Sequence, residues 1–130
     1  MKKIILLTFL IMLINANCVL CAHVYSEKTY QNQWCKANNG VTEYVLPDAT
    51  RIDCLTNDYA IEFDFANKWA ESIGQSLFYA LSTGKKAGIV LIMERPQRDK
   101  KYYERVNNVA IKYNIKIWTM TSKDLSALAK

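Results

Sequence analysis

The chain is poor in the residues that most reaction chemistries require. It has a single histidine, His23. A serine or cysteine nucleophile activated by histidine needs that ring inside the site. His23 sits at the edge of the globular part and reads as a solvated side chain. Cysteine is scarce as well, with Cys18, Cys21, Cys35 and Cys54. Once the leader described below is set aside, two cysteines and one histidine remain, which is too few for a structural zinc site. No glycine-rich phosphate loop is present. No repeat, low-complexity stretch or internal linker divides the chain. The longest apolar run, Ile4 to Ile14, spans eleven residues and is broken only by Thr8, against about 20 for a membrane-spanning helix.

That run has its own meaning. Met1-Lys2-Lys3 gives a positive start, the run follows, and a cut after Ala22 is the expected processing point, with Leu20 an imperfect residue three positions before the cut. Residues 1–22 read as a signal peptide and 23–130 as one domain. An uncleaved membrane anchor is the alternative. A lipidated Cys18 or Cys21 suits its preceding residues poorly. Export implies a periplasmic or secreted protein with no stable membrane association after cleavage. Removing 22 of 130 residues leaves 108, with 15 basic and 12 acidic side chains and a net charge of +3. That mild excess permits an anionic partner without demanding one. Cys35 and Cys54 would enter an oxidising compartment, where two cysteines can close one disulfide.

The rest of the chain is organised around residues 51–79. Arg51 to Thr56 and Tyr59 to Phe65 read as strands joined at Asn57-Asp58, followed by a helix from about Ala66 to Ser82. Alternation puts Tyr59, Ile61, Phe63 and Phe65 on one face and Ala60, Glu62 and Asp64 on the other. Two carboxylates in the middle of a half-buried strand are costly unless paired, protonated or bound to a cation. Upstream, His23 to Lys36 reads as a helix capped by Ser26 and ended at Asn38-Asn39-Gly40, with Gly40 as the left-handed residue. Val41 to Leu46 reads as a strand. In the helix after Phe65, Trp69, Ile73, Leu77 and Leu81 form the expected buried stripe. Lys68, Ser72, Gln75 and Tyr79 share another face. Ala87 to Met93 is a fully apolar strand. A charged loop from Glu94 to Asp99, a helix over 100–114, a short strand over 115–119 and a helix over 123–130 complete an α/β chain. The expected order is helix, three-stranded antiparallel meander, helix, strand, then helix-strand-helix.

Asp53, Glu62 and the carbonyl of Phe63 form a hard oxygen set of the kind Mg²⁺ prefers. The bland alternative is a solvated acidic face paired with Lys68 and Arg51. The order of elements, with Asp53 nine residues before Glu62-x-Asp64, resembles the PD-(D/E)XK nuclease superfamily and its restriction-endonuclease-like fold. Gln75 and Tyr79 resemble the Gln-x-x-x-Tyr motif of the RecB-type branch, and Glu43 corresponds to its upstream acid. The resemblance covers about Ser26 to Met93. It implies Mg²⁺ or Mn²⁺ held by Asp53, Glu62 and Phe63, a nucleic-acid substrate with DNA favoured over RNA, and hydrolysis of phosphodiester bonds. The family's lysine position is Asp64 here. Lys68 is the candidate for a migrated lysine, with a surface lysine paired to Glu71 or Ser72 as its plain alternative. Asp48 rivals Asp53, but it stands at a turn, where aspartate needs no function. The resemblance leaves two competing functions open. One is a catalytically inactive binding domain on the same fold. The other is an exported glycoside hydrolase using Glu62 with Asp53 or Glu43. The Lys85-Lys86 pair and the Arg95 to Lys101 cluster read as solvated surface or as phosphate contacts.

Overall fold

The structure is a computed structural model that describes residues 22–128; the expected signal peptide, apart from its last residue Ala22, lies outside them. The elements follow the expected order. Helix α1 spans Glu27–Ala37, strands β1, β2 and β3 span Val41–Val45, Arg51–Leu55 and Tyr59–Phe65, and a 3₁₀ turn spans Ala66–Lys68. Helix α2 covers Trp69–Thr83, β4 Lys86–Ile92, α3 Pro96–Tyr113, β5 Lys116–Met120 and α4 Ser122–Leu128. The five strands form one mixed sheet in the order β1-β2-β3-β4-β5. The first three are antiparallel neighbours, and β3, β4 and β5 run parallel. Parallel strands need a long crossover, and α2 and α3 supply it. Among the described residues no helix is long and apolar enough to cross a membrane.

The two faces of the sheet are covered by different helices. Tyr30 and Trp34 of α1 and Leu125 of α4 pack with Ile61, Phe63, Val90, Ile92 and Met120. On the other face, Val106 and Ala110 of α3 pack with Ala87, Ile89 and Leu91, and Trp69, Ile73 and Leu77 of α2 lean on the same cluster. Glu62 and Asp64 belong to this second face, directly opposite Ile89 and Leu91. The acids therefore sit on an otherwise apolar surface beneath α2.

This position explains how α2 departs from the sequence expectation. Its fully buried residues are Ser72 and Ser76, with Tyr79 nearly so, whereas Leu81 is 83% exposed. Small residues let the helix come down on the strand that carries the acids. Each serine satisfies its hydroxyl on its own helix, Ser72 Oγ donating to Trp69 O and Ser76 Oγ to Ile73 O. The large apolar residues turn sideways toward α3. Two further boundaries differ. Ser26 caps α1 as expected, so the helix starts at Glu27 rather than His23. Helix α3 starts at Pro96, because Asp99 accepts a hydrogen bond from Arg95 N and proline is well suited to a first helical position.

Cys35 and Cys54 are joined in a disulfide with Cα atoms 5.7 Å apart, stapling α1 to β2. The bond fits an extracellular or periplasmic location. Gly40 matters here for its size. The left-handed residue is Asn39, with φ 54°, not Gly40. A Cβ on Gly40 would lie 2.5 Å from Cys54 Sγ and 2.6 Å from Cys35 Sγ. We therefore expect Gly40→Ala to cost about 1–3 kcal/mol, the usual range for overpacking. Removing the disulfide with Cys35→Ala and Cys54→Ala should cost roughly 3 kcal/mol by itself. In that background Gly40→Ala should cost almost nothing more. Thermal denaturation of the four proteins measures this coupling, and additive effects would refute it.

Candidate functional site

Strand β2 is irregular at Asp53. Ile52 packs with Ala60 and Tyr79 beneath α2, whereas Cys54 packs on the α1 side. Residues two apart normally share a face, so the strand twists through Asp53. The ladder to β3 pairs Cys54 with Ile61 and Leu55 with Ala60. Beyond that point the Asp53 carboxylate takes over, accepting a hydrogen bond from Phe63 N at 2.8 Å. In an extended strand the N–H and C=O of one residue point the same way. The Phe63 carbonyl is thus turned toward Asp53 as well. Opposite Asp53, Glu43 sits in the left-handed region at φ 56°, a backbone strain of the kind that clusters at functional sites.

Glu62 and Asp64 are 5% and 4% exposed. Glu62 Oε2 is buried and has no hydrogen-bond partner among the described residues. Burial is the first cause raising the Glu62 carboxyl far above its ordinary range, followed by the charges of Asp53, Asp64 and Glu27. Burial likewise raises Asp53, offset in part by its bond from Phe63 N. A proton shared between these two favours the charged form of Asp53 and the neutral form of Glu62, so they titrate as one pair. Asp64 is pushed up to about 7, by burial first and then by Glu27, against the lowering charge of Lys68. Lys68 Nζ lies 3.8 Å from Asp64 Oδ1, so the lysine turns to the acids and not to Glu71 or Ser72.

The remaining expected residues are placed around this pair. Tyr79 is buried, and burial raises its phenol above its ordinary value, with Glu62 and Asp53 adding to the rise. Exposed Gln75 donates from Nε2 to Tyr79 Oη at 3.4 Å. Glu43 is held by Lys28 Nζ at 2.7 Å and Arg51 at 3.4 Å; it is linked to Asp53 through Gln31 and by its charge, which raises the Asp53 carboxyl. Asp48 caps its own turn, accepting from Thr50 N and Thr50 Oγ1.

Two participants escape the sequence reading. Gln31 is buried in α1 and donates from Nε2 to both Glu43 Oε1 and Asp53 O. Glu27, one turn earlier on the same helix, adds its charge to all three central acids, and burial raises its own carboxyl. The spacing of four places them on one helical face, which was the available signal. His23 is not simply solvated either. Its ring stacks on Phe65 at 3.4 Å between centroids, and Nδ1 lies 3.0 Å from Glu94 Oε2.

The donor set is hard oxygen, and the orphaned Glu62 oxygen is a vacant acceptor, so the chemistry fits a divalent cation. Among the described residues no three Asp, Glu, His or Cys side chains are arranged to hold a metal ion. No family model, curated protein or solved structure matches this chain.

Proposed function

We propose that the chain has a restriction-endonuclease-like core and is a metal-dependent nuclease acting on nucleic acid. The observation that carries this reading is the unpartnered, buried Oε2 of Glu62 beside Asp53, at the point where the β2–β3 ladder opens. The sequence α1, three antiparallel strands, α2 and a parallel β4 supports the fold assignment. A divalent cation held by Asp53, Glu62 and the Phe63 carbonyl would polarise the phosphate and lower the pKa of its water. Asp64, titrating near 7, is matched to take a proton from the attacking water at neutral pH. Lys68 would offset charge on the phosphate, and Gln75 with Tyr79 would orient the substrate. Glu43 and Gln31 hold Asp53 in place from behind.

The second reading, a binding domain without catalysis, is favoured by Asp64 at the lysine position and by the lack, among the described residues, of a preassembled three-ligand group. Incubating the exported protein with plasmid and single-stranded DNA, in Mg²⁺ or Mn²⁺ against a chelator, decides between them. Cleavage that a chelator stops supports the nuclease. No cleavage of either substrate leaves the binding domain. In the nuclease, Lys68→Ala should lower the cleavage rate by roughly 10²–10³, as loss of one charge contact to a transition state does. A wild-type rate in that variant would remove Lys68 from the mechanism.

A further inference from the structure

A cleft of about 280 Å³ opens at the carboxyl ends of β3 and β4, and Asn67, Arg98, Lys101, Tyr102 and His23 line it. Two carboxylates also border it, and both are spent on structure. Glu94 accepts from Val24 N, Tyr25 N and Tyr30 Oη. Asp99 caps Arg95 N and pairs with Arg98 at 3.6 Å. Both are nearly buried, at 7% and 9% exposure, whereas the Arg98 side chain is 61% exposed. Lys101 Nζ rests 4.9 Å over the Tyr102 ring. The solvent side of the cleft is therefore cationic, with amide and phenol groups beside the cations. Its volume lies just below the roughly 300 Å³ at which small-molecule sites begin. That suits a single anionic group rather than a whole engulfed ligand.

The cleft adjoins the acids. Asn67 is three residues beyond Asp64, at most about 11 Å of chain at 3.8 Å per step. Lys68, next in sequence, is the residue that pairs with Asp64. His23 on the cleft wall and Lys68 both act on the Glu27 carboxyl, so cleft and acid cluster meet at those side chains. The Lys85-Lys86 pair is placed differently. Lys85 Nζ donates to Asn57 O at 2.6 Å and Lys86 lies over the Tyr59 ring, at the opposite end of β3.

We propose that this cleft binds a backbone phosphate of a polynucleotide, adjacent to the phosphate presented to the acid cluster. Arg98 and Lys101 hold its charge, and Asn67 and Tyr102 donate to its oxygens. The strand then runs from the acids, across the end of β3, into the cleft. The proposal deepens the nucleic-acid reading and rests on it, but it is tested without catalysis. Binding of a fluorescein-labelled single-stranded oligonucleotide to the exported protein is measured in chelator by anisotropy over a series of salt concentrations. The double variant Arg98→Gln/Lys101→Gln should weaken binding at least tenfold at low salt. Its log–log salt slope should be shallower by about 1.4, for two lost contacts at about 0.7 each. Lys112→Gln/Lys123→Gln, equal in charge but away from the cleft, should change the affinity much less. Equal losses in the two variants, or no binding by the wild type, would overturn the proposal. So would loss of binding to phosphatidylglycerol vesicles in the cleft variant with oligonucleotide affinity intact, since the cleft would then serve a membrane surface. Cleft-dependent binding by a protein that cleaves nothing would sustain the proposal and defeat the nuclease reading.

Discussion

Glu62→Gln should abolish metal-dependent cleavage and leave a protein at least as stable as the wild type at neutral pH in chelator. The activity loss follows from removing the carboxylate with the free buried oxygen, Glu62 Oε2. In the proposed nuclease Glu62 would be one of the residues that hold the cation, and the cation would supply a water of lowered pKa. We expect a fall of roughly 10³ or more, with calorimetric Mn²⁺ binding lost in parallel. The stability result follows from what Glu62 costs. Its carboxyl is raised by burial and by three neighbouring acids, so folding at neutral pH opposes its ionised form. Glutamine has the same shape and no charge, and its amide can donate to Asp53. A reduced Tm in chelator would show that Glu62 is a structural member of the core. Full activity in Glu62→Gln would remove the metal site altogether.

The order of elements was legible because each has a local cause. The fully apolar Ala87 to Ile92 could only be a covered strand, and it is buried throughout. Thr56-Asn57-Asp58-Tyr59 closes a hairpin with Thr56 N donating to Tyr59 O. Gly84 ends α2 at φ 67°. The central acids were legible for the same reason, since alternation along β3 fixes the face of Glu62 and Asp64 once Ile61 and Phe63 are inside. Apolar periodicity failed on α2, because it assumes that the surface beneath a helix is apolar. Here that surface carries the acids, and serine is the residue that fits. Long-range partners were illegible. Gln31 and Glu27 join the site because α1 packs against β2 at Asp53 and Cys54, and Glu94 gathers His23, Val24, Tyr25 and Tyr30 from 64 or more residues away. No periodicity in one strand or helix encodes such a meeting.

The metal-free protein should be more stable at pH 5 than at pH 8, and Mg²⁺ or Mn²⁺ should reverse part of that loss at pH 8 alone. Aspartate and glutamate carboxyls ionise near pH 4 in an unfolded chain. In the folded protein Asp53, Glu62 and Asp64 hold their protons to higher pH, Asp64 to about 7. From about pH 4, through the Asp64 value near 7 and beyond it for Glu62, the folded state therefore binds more protons than the unfolded state. Stability is full below that window and falls as pH rises through it. Glu43 and Glu94 are shifted the other way, Glu43 by its bonds from Lys28 and Gln31 and Glu94 by its bonds from Tyr30 and the 23–25 segment, despite burial. Their contribution is lost only at more acid pH, so it does not mask the trend between pH 5 and 8. A change of even 2 kcal/mol would move Tm by roughly 8–16 °C in a domain of this size. A cation must displace these protons to bind, so at pH 5 it competes poorly, whereas at pH 8 Asp53 is already charged and only the Glu62 proton has to leave. Scanning calorimetry from pH 5 to 8, with and without 5–10 mM Mg²⁺ (concentrations of about the order needed for a weak site), reads both effects. The slope should flatten in Glu62→Gln. A Tm that does not fall toward pH 8, or an equal Mg²⁺ effect at both ends, would mean that the three carboxyls are hydrated and ionised in the folded protein and form no cation site.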